Sequence, residues 1–224
     1  MELRFLGHAA FALSDGGTTV LIDPFLTGNP RAAASADELD ATTILLAHGH
    51  GDHVGDAVAL ATRTGAEVVA VVELAHELGG QGAAVRDPNL GGTETFPWGS
   101  VKLVPAWHTS TSPGGTPSIA CGLLVEFAGT TIYHLGDTCL FSDLQLVGRN
   151  RTIDVALMPI GGHYTMDRHD AVEAARLVGA KTVIPIHYDT FPPIETDAQA
   201  FKADVEAQTS SQVVVLAPGE SWSS

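Results

Sequence analysis

Basic side chains are scarce: 11 lysines and arginines stand against 26 aspartates and glutamates, a formal net charge of -15 with histidine neutral. Such a charge repels polyanions at long range and aids solubility, which disfavours general nucleic-acid binding. Cysteine is scarcer still. Cys121 and Cys139 are the only two, and their spacing makes neither a disulfide framework nor a zinc knuckle. Reduced, mostly buried thiols are expected, and Cys139, two residues past Asp137, is not taken as a ligand. No apolar run approaches the roughly 18 residues of a bilayer span. The first residues, Met1-Glu2-Leu3-Arg4-Phe5, lack the basic stretch and long apolar segment of a secretion signal. A cytoplasmic protein with no membrane partner is therefore expected. Linkers, long repeats and low-complexity tracts are missing too. The chain's 224 residues, 45% hydrophobic, suffice for one sizeable core, so residues 1–224 read as a single domain of two similar halves.

Histidine is what the chain does have, and it is unevenly placed. Three of the 10 histidines crowd with a carboxylate into Ala47-His48-Gly49-His50-Gly51-Asp52-His53, directly behind Ile44-Leu45-Leu46. Imidazole nitrogen and carboxylate oxygen are ligands that zinc and similar divalent ions favour, and four such side chains gain little from apolar burial. Extended backbone points residues two apart to the same side, so His48 and His50 can grip one ion while Asp52 and His53 serve a second. Three distant residues stand, like this motif, at the end of a strand-like run. They are His108 after Val101–Trp107, Asp137 after Thr131–Gly136 and His187 after Thr182–Ile186. Four strand ends thus converge on one rim.

Strand-like runs cover Glu2–Leu6, Ala10–Leu13, Thr18–Ile22, Thr43–Ala47, Glu67–Val72, Val101–Ala106, Gly122–Phe127, Thr131–His134, Val155–Ile160, Thr182–Ile186 and Gln212–Leu216. Helical periodicity fits Val54–Thr64, Leu74–Gly79, His169–Val178 and Asp197–Thr209, with Gly65 and Gly179 as stops. Two sheets, each covered by helices on its outer face, accommodate that many strands in one layered α/β domain whose polar loops gather along one edge. The turn-rich stretch Ser110–Thr116, directly after His108, is expected to be a mobile flap over the site.

The set His48-x-His50-x-Asp52-His53, His108, Asp137 and His187 resembles the complete ligand set of the metallo-β-lactamase superfamily. Leu6-Gly7-His8-Ala9, Leu21-Ile22-Asp23-Pro24-Phe25, Tyr133-His134-x-Gly136-Asp137-Thr138 and Pro159-Ile160-Gly161-Gly162-His163-Tyr164-Thr165-Met166 resemble its uncharacterised metal-dependent hydrolase branch, with ascorbate-phosphate lactonase a more distant relative. The resemblance runs nearly end to end and implies a four-layer αββα sandwich. It implies that His48, His50 and His108 hold one ion, that Asp52, His53 and His187 hold another, and that Asp137 bridges both. Zinc is the first expectation, with manganese, nickel or iron compatible with the same ligands. Two ions roughly 3.5–4 Å apart activate a shared water, which makes hydrolysis the natural chemistry.

Asp52 and His163 are the catalytic candidates, and His163 could protonate a leaving group. His8 and His134 fit better as hydrogen-bond partners that orient a ligand, whereas His76 and His169 read as ordinary helix residues. Asp23 either accepts a hydrogen bond from a metal-bound histidine or closes a turn. Tyr188 and Phe191, just past His187, either wall the pocket or, as the preferred reading, serve core or rim packing. The leading expectation is a two-metal hydrolase acting on a small-molecule ester, lactone or phosphodiester. An iron-dependent oxygenase or redox protein on the same scaffold is the second reading, and a non-catalytic metal-binding module the third. Members of the family often self-associate, so a homo-oligomer is expected.

Overall fold

Continuous or alternating apolar runs become strands in the computed structural model, which describes residues 1–224. In chain order these are β1 (Glu2–Gly7), β2 (Ala10–Asp15), β3 (Thr18–Ile22), β4 (Thr43–Leu45), β5 (Glu67–Val69), β6 (Ala84–Arg86), β7 (Thr93–Phe96), β8 (Gly99–Pro105), β9 (Cys121–Phe127), β10 (Thr130–His134), β11 (Val155–Pro159), β12 (Thr182–Ile186), β13 (Gln212–Val213) and β14 (Ser221–Ser223). The helices are α1 (Gly51–Val54), α2 (Ala57–Thr64), α3 (Val72–Gly80), α4 (Leu144–Gly148), α5 (Arg168–Val178) and α6 (Ala198–Gln208). One sheet has the order β14-β1-β2-β3-β4-β5-β6 and the other β13-β12-β11-β10-β9-β8-β7. Both follow the same plan. β14 to β3 and β7 to β10 pair antiparallel, and β3 to β6 and β10 to β13 pair parallel. The parallel strands β11 and β12 are buried at every residue, as covered parallel sheets require, which is why they read as unbroken apolar runs.

One apolar cluster joins Leu3, Leu21, Ile44 and Val68 of the first sheet to Val101, Leu123, Val155 and Ile184 of the second, and continues to Leu60, Leu74 and Leu78 of α2 and α3. A second cluster lies under α4, α5 and α6, where Tyr133 and Met158 meet Ala171, Val178 and Phe201. The result is the four-layer αββα sandwich the resemblance implied. The outer helices have clean boundaries. Asp167 and Asp197 each accept two backbone N–H groups at 2.9 Å to open α5 and α6, and α5 ends at Gly179 with φ 63°. No helix is long and apolar enough to cross a membrane.

Several boundaries differ from the sequence reading, each for a local reason. The helix expected over Val54–Thr64 is broken at Gly55, where φ is 42° and a Cβ would lie 2.5 Å from the Pro24 carbonyl. Asp56 is drawn out of helical register to accept Leu26 N–H at 3.0 Å and Thr27 N–H at 2.8 Å. β4 stops at Leu45 because the Ala47 N–H turns to Asp23 Oδ1 at 2.8 Å while its carbonyl accepts the Cys121 N–H of the opposite sheet at 2.9 Å. The run ending at Val72 stops pairing at Val69, where the chain turns into α3, and the run from Gln212 pairs only to Val213. β6, β7, β14 and α4 have no counterpart in that reading, being three to five residues long with little periodicity.

Candidate metal centre

The C-terminal ends of β1, β3, β4, β8, β10 and β12 open on the same edge of the sandwich. They deliver His8, Asp23, the His48–His53 turn, His108, Asp137 and His187 in that order. Three of these residues leave their strands with positive φ: His8 at 61°, Asp23 at 44° and His187 at 55°. Left-handed backbone is uncommon outside glycine, and its concentration here shows tertiary contacts overriding local preference at a functional edge. Gly136 makes the sharpest approach. Its φ is 65°, and a Cβ there would stand 2.5 Å from the Cys121 carbonyl, so only glycine lets Asp137 follow β10 into the centre.

All seven residues read as ligands meet. His48, His50 and His108 have ring nitrogens within 4.8 Å of one another, and a second group joins Asp52, His53 and His187 with His8. Asp137 sits between the groups. Its Oδ1 is 3.3 Å from His53 Nε2, and its Oδ2 is 3.1 Å from His187 Nε2, 3.5 Å from His108 Nε2 and 3.9 Å from His48 Nε2. His187 Nε2 lies a further 3.9 Å from Asp52 Oδ2.

Cation binding fits the donors. Five buried side-chain atoms lack a hydrogen-bond partner, and four belong to this cluster: His48 Nδ1, His53 Nε2, Asp137 Oδ1 and His187 Nδ1. Leaving a buried polar atom unpaired costs about 1–3 kcal/mol, and two of the four, His53 Nε2 and Asp137 Oδ1, face the centre 3.3 Å apart, whereas His48 and His187 turn Nε2 toward Asp137 and leave Nδ1 on the far side of the ring. Protonation states follow from the same geometry. Burial, reinforced by His53, pushes the His48 imidazole well below its usual range. Burial works against charge on Asp137 and His53 as well, but there the pairing wins. His187 and His53 hold the Asp137 carboxyl well below the usual carboxylate range, while Asp137 and Asp23 hold the His53 ring well above the histidine range. Carboxylates buried here demand positive charge, which a divalent ion supplies better than a proton.

The surrounding contacts orient the donors. Asp23 accepts His53 Nδ1–H at 2.7 Å while holding Ala47, so it aims Nε2 inward and fixes the ring's tautomer; the turn-closing alternative is the lesser part of its role. His134 is fully committed to backbone, donating Nε2–H to the Ala9 carbonyl and accepting the Gly136 N–H, each at 3.0 Å. His8 pairs through Nδ1 with Thr190 Oγ1 at 2.8 Å and through Nε2 with Asp52 Oδ2 at 3.2 Å, and its carbonyl accepts the His187 N–H at 2.8 Å. Burial lowers its pKa to about 4, so at neutral pH it is an uncharged ring bracing two members of the second group. His76 is an exposed α3 residue paired with Asp87, and His169 is exposed on α5.

The segment Ser110–Thr116 is not the free flap its composition suggested. Ser110 Oγ accepts the Gly49 N–H at 2.9 Å and meets Ser118 Oγ at 2.6 Å, Ser112 N–H bonds the Thr116 carbonyl at 3.0 Å, and the Ser112 hydroxyl donates to Glu77 of α3. It is a pinned buttress behind the His48–His50 turn. A cavity of about 580 Å³ opens in front, lined by His50, Gly51, Asp52, His108, Thr109, Asp137, Tyr164, His187 and Phe191. His163 is not among them: with φ at 55° it lies exposed, its ring edge-on to Tyr164 at 4.4 Å, and the next residue takes the place expected for it. Phe191, read as packing, forms a wall of this cavity, whereas Tyr188 faces a separate one beside Arg31 and Asp197. Cys139 is exposed and outside both.

A sequence model described as the beta-lactamase superfamily domain matches residues 2–187. A UPF0173 metal-dependent hydrolase of Pelotomaculum thermopropionicum is 48% identical over 99% of both chains. The chain belongs to this metal-dependent hydrolase family of the beta-lactamase superfamily. Another of its members, from Thermus thermophilus, is 48% identical over 98% of this chain and 97% of its own. Among solved structures, Igni18, a metallo hydrolase from the hyperthermophilic archaeon Ignicoccus hospitalis, superposes with a TM-score of 0.90 at 35% identity, covering 99% of this chain and 97% of its own. Membership accounts for the fold. The substrate depends on what lines the cavity.

Proposed function

We propose that this protein hydrolyses a small ester, lactone or phosphodiester at a two-metal centre. His48, His50 and His108 hold one ion, Asp52, His53 and His187 the other, and Asp137 reaches both, with zinc the first candidate. One observation carries the reading: buried and half-buried imidazole and carboxylate donors from four separate strand ends converge at the floor of an open cavity. A closed structural site would have no such opening. When bound, a divalent pair supplies a water of lowered pKa and polarises the scissile bond. The chain's own groups do the rest. Asp23 keeps Nδ1 of His53 protonated and Nε2 directed at the centre, and His8 braces Asp52 and the His187 backbone. His163 stands outside the cavity, so the leaving group's proton comes from water or from a cavity hydroxyl, Thr109 or Tyr164.

The oxygenase reading has no comparable support, since relatives at 48% identity carry the hydrolase name. The test is elemental analysis of protein purified without added metal, paired with assays on a lactone and a phosphodiester before and after chelation. The expected result is about two zinc or manganese ions per chain and turnover that chelation abolishes and metal restores. One iron, oxygen consumption and no hydrolysis would overturn the proposal.

A further inference from the structure

The cavity in front of the centre has a composition that narrows the substrate. Neither lysine nor arginine is among its nine lining residues, and the chain as a whole carries a net charge of -15. Sites built for phosphate commonly supply a guanidinium fork or an ammonium, and the only helix N-terminus at this cavity is that of the four-residue α1, at Gly51 and Asp52. Here the metals would be the only positive charge facing a substrate. Its carbon-rich walls are two aromatic rings, Tyr164 and Phe191. Phe191 is seated against the His8 and Phe25 rings, with centroids 5.7 and 6.5 Å away. Tyr164 is 54% exposed, yet its backbone is held. The Gly162 N–H bonds the Met166 carbonyl at 2.9 Å, the Tyr164 N–H bonds the Gly162 carbonyl at 2.6 Å, and the Met166 N–H bonds the Thr138 carbonyl at 3.1 Å, tying the turn to the residue after Asp137. A large ring carried on a held turn at the mouth of a cavity and left half uncovered is a surface that a ligand can cover.

We propose that the substrate is an uncharged carbonyl ester or lactone carrying a flat aromatic or conjugated group, which lies against Tyr164, with Phe191 as a second apolar wall. The inference rests on the hydrolase reading and selects carbonyl esters over phosphodiesters within it. In the reaction a water oxygen bonds to the carbonyl carbon and the bond from that carbon to the ester oxygen breaks. One water proton ends on the alcohol and the other passes to solvent as the carboxylate forms, so nothing is oxidised or reduced.

The test compares methyl phenylacetate with methyl cyclohexylacetate, which share a leaving group and differ chiefly in whether the apolar ring is flat. Bis(p-nitrophenyl) phosphate serves as the anionic probe, and calorimetry with phenylacetamide as a readout independent of turnover. Wild type is expected to prefer the phenyl ester by about tenfold in kcat/KM, Tyr164→Ala to erase that ratio and weaken phenylacetamide binding, and Tyr164→Phe to retain both. Equal turnover of the two esters, a ratio unmoved in Tyr164→Ala, or faster cleavage of the phosphodiester would overturn it. If metal-loaded protein cleaves none of the three, the hydrolase reading fails, and phenylacetamide binding still decides the aromatic wall: loss in Tyr164→Ala supports it, and no binding to wild type refutes it.

Discussion

Asp137→Asn is expected to lower kcat/KM by about a hundredfold to a few thousandfold and to cut the bound metal below half of the wild-type content. Asp137 is 2% exposed and has four histidine rings within 3.9 Å of its two oxygens, drawn from the ends of β4, β8 and β12. An amide of the same shape removes the negative charge on which both groups of donors converge and turns an N–H₂ donor toward nitrogens that should bind a cation. Removing one partner of a buried charged assembly costs about 3–5 kcal/mol, and each 1.4 kcal/mol is tenfold, which gives that range if the loss falls on the metal-bound, reacting state. Elemental analysis and a pH-stat assay on one preparation check both halves. Retention of wild-type metal content and turnover would remove Asp137 from the centre.

Stripping the metal should lower the thermal midpoint by about 8–16 °C, and returning it should restore the loss. A ligand that binds only the folded state stabilises it by about 4 kcal/mol at a thousand times its Kd, and one kcal/mol moves the midpoint of a domain this size by about 2–4 °C. The effect is expected to be large because the site is not a surface loop. It joins the ends of both sheets, and without a cation His53 Nε2 and Asp137 Oδ1 lack hydrogen-bond partners while His48, His108 and His187 crowd their Nε2 atoms within 3.9 Å of the same carboxylate. Scanning calorimetry of chelated and reconstituted protein measures it. A midpoint indifferent to chelation would mean that the cluster satisfies itself without an ion.

The residues of the centre were legible in the sequence because each follows an apolar run, and in a sheet-based fold strand ends meet at one edge. The layered architecture was legible for the same reason, since the fully buried strands β11 and β12 announce covered parallel sheets. What escaped depended on contacts between distant residues. His163 and Tyr164 are neighbours, and only the turn through Gly162 and His163, with φ of 66° and 55°, decides that the tyrosine and not the histidine faces the cavity. The serines and glycines of Ser110–Thr116 read as a mobile flap because Glu77, which pins them, lies 35 residues away from Ser112 on another element. The sequence leaves two roles open for Asp23, because its bond to His53 joins residues 30 apart. The break at Gly55 is set by the Pro24–Phe25 backbone pressing against it, which helical periodicity does not report.

The central claim is that these side chains hold two ions side by side. Anomalous diffraction at the absorption edge of the co-purified metal, from crystals grown without chelator, tests it most directly. The expected map has two peaks roughly 3.5–4 Å apart at the floor of the cavity, one beside His48, His50 and His108 and one beside Asp52, His53 and His187, with Asp137 within reach of both. A single peak, or none among these residues in active protein, would contradict it.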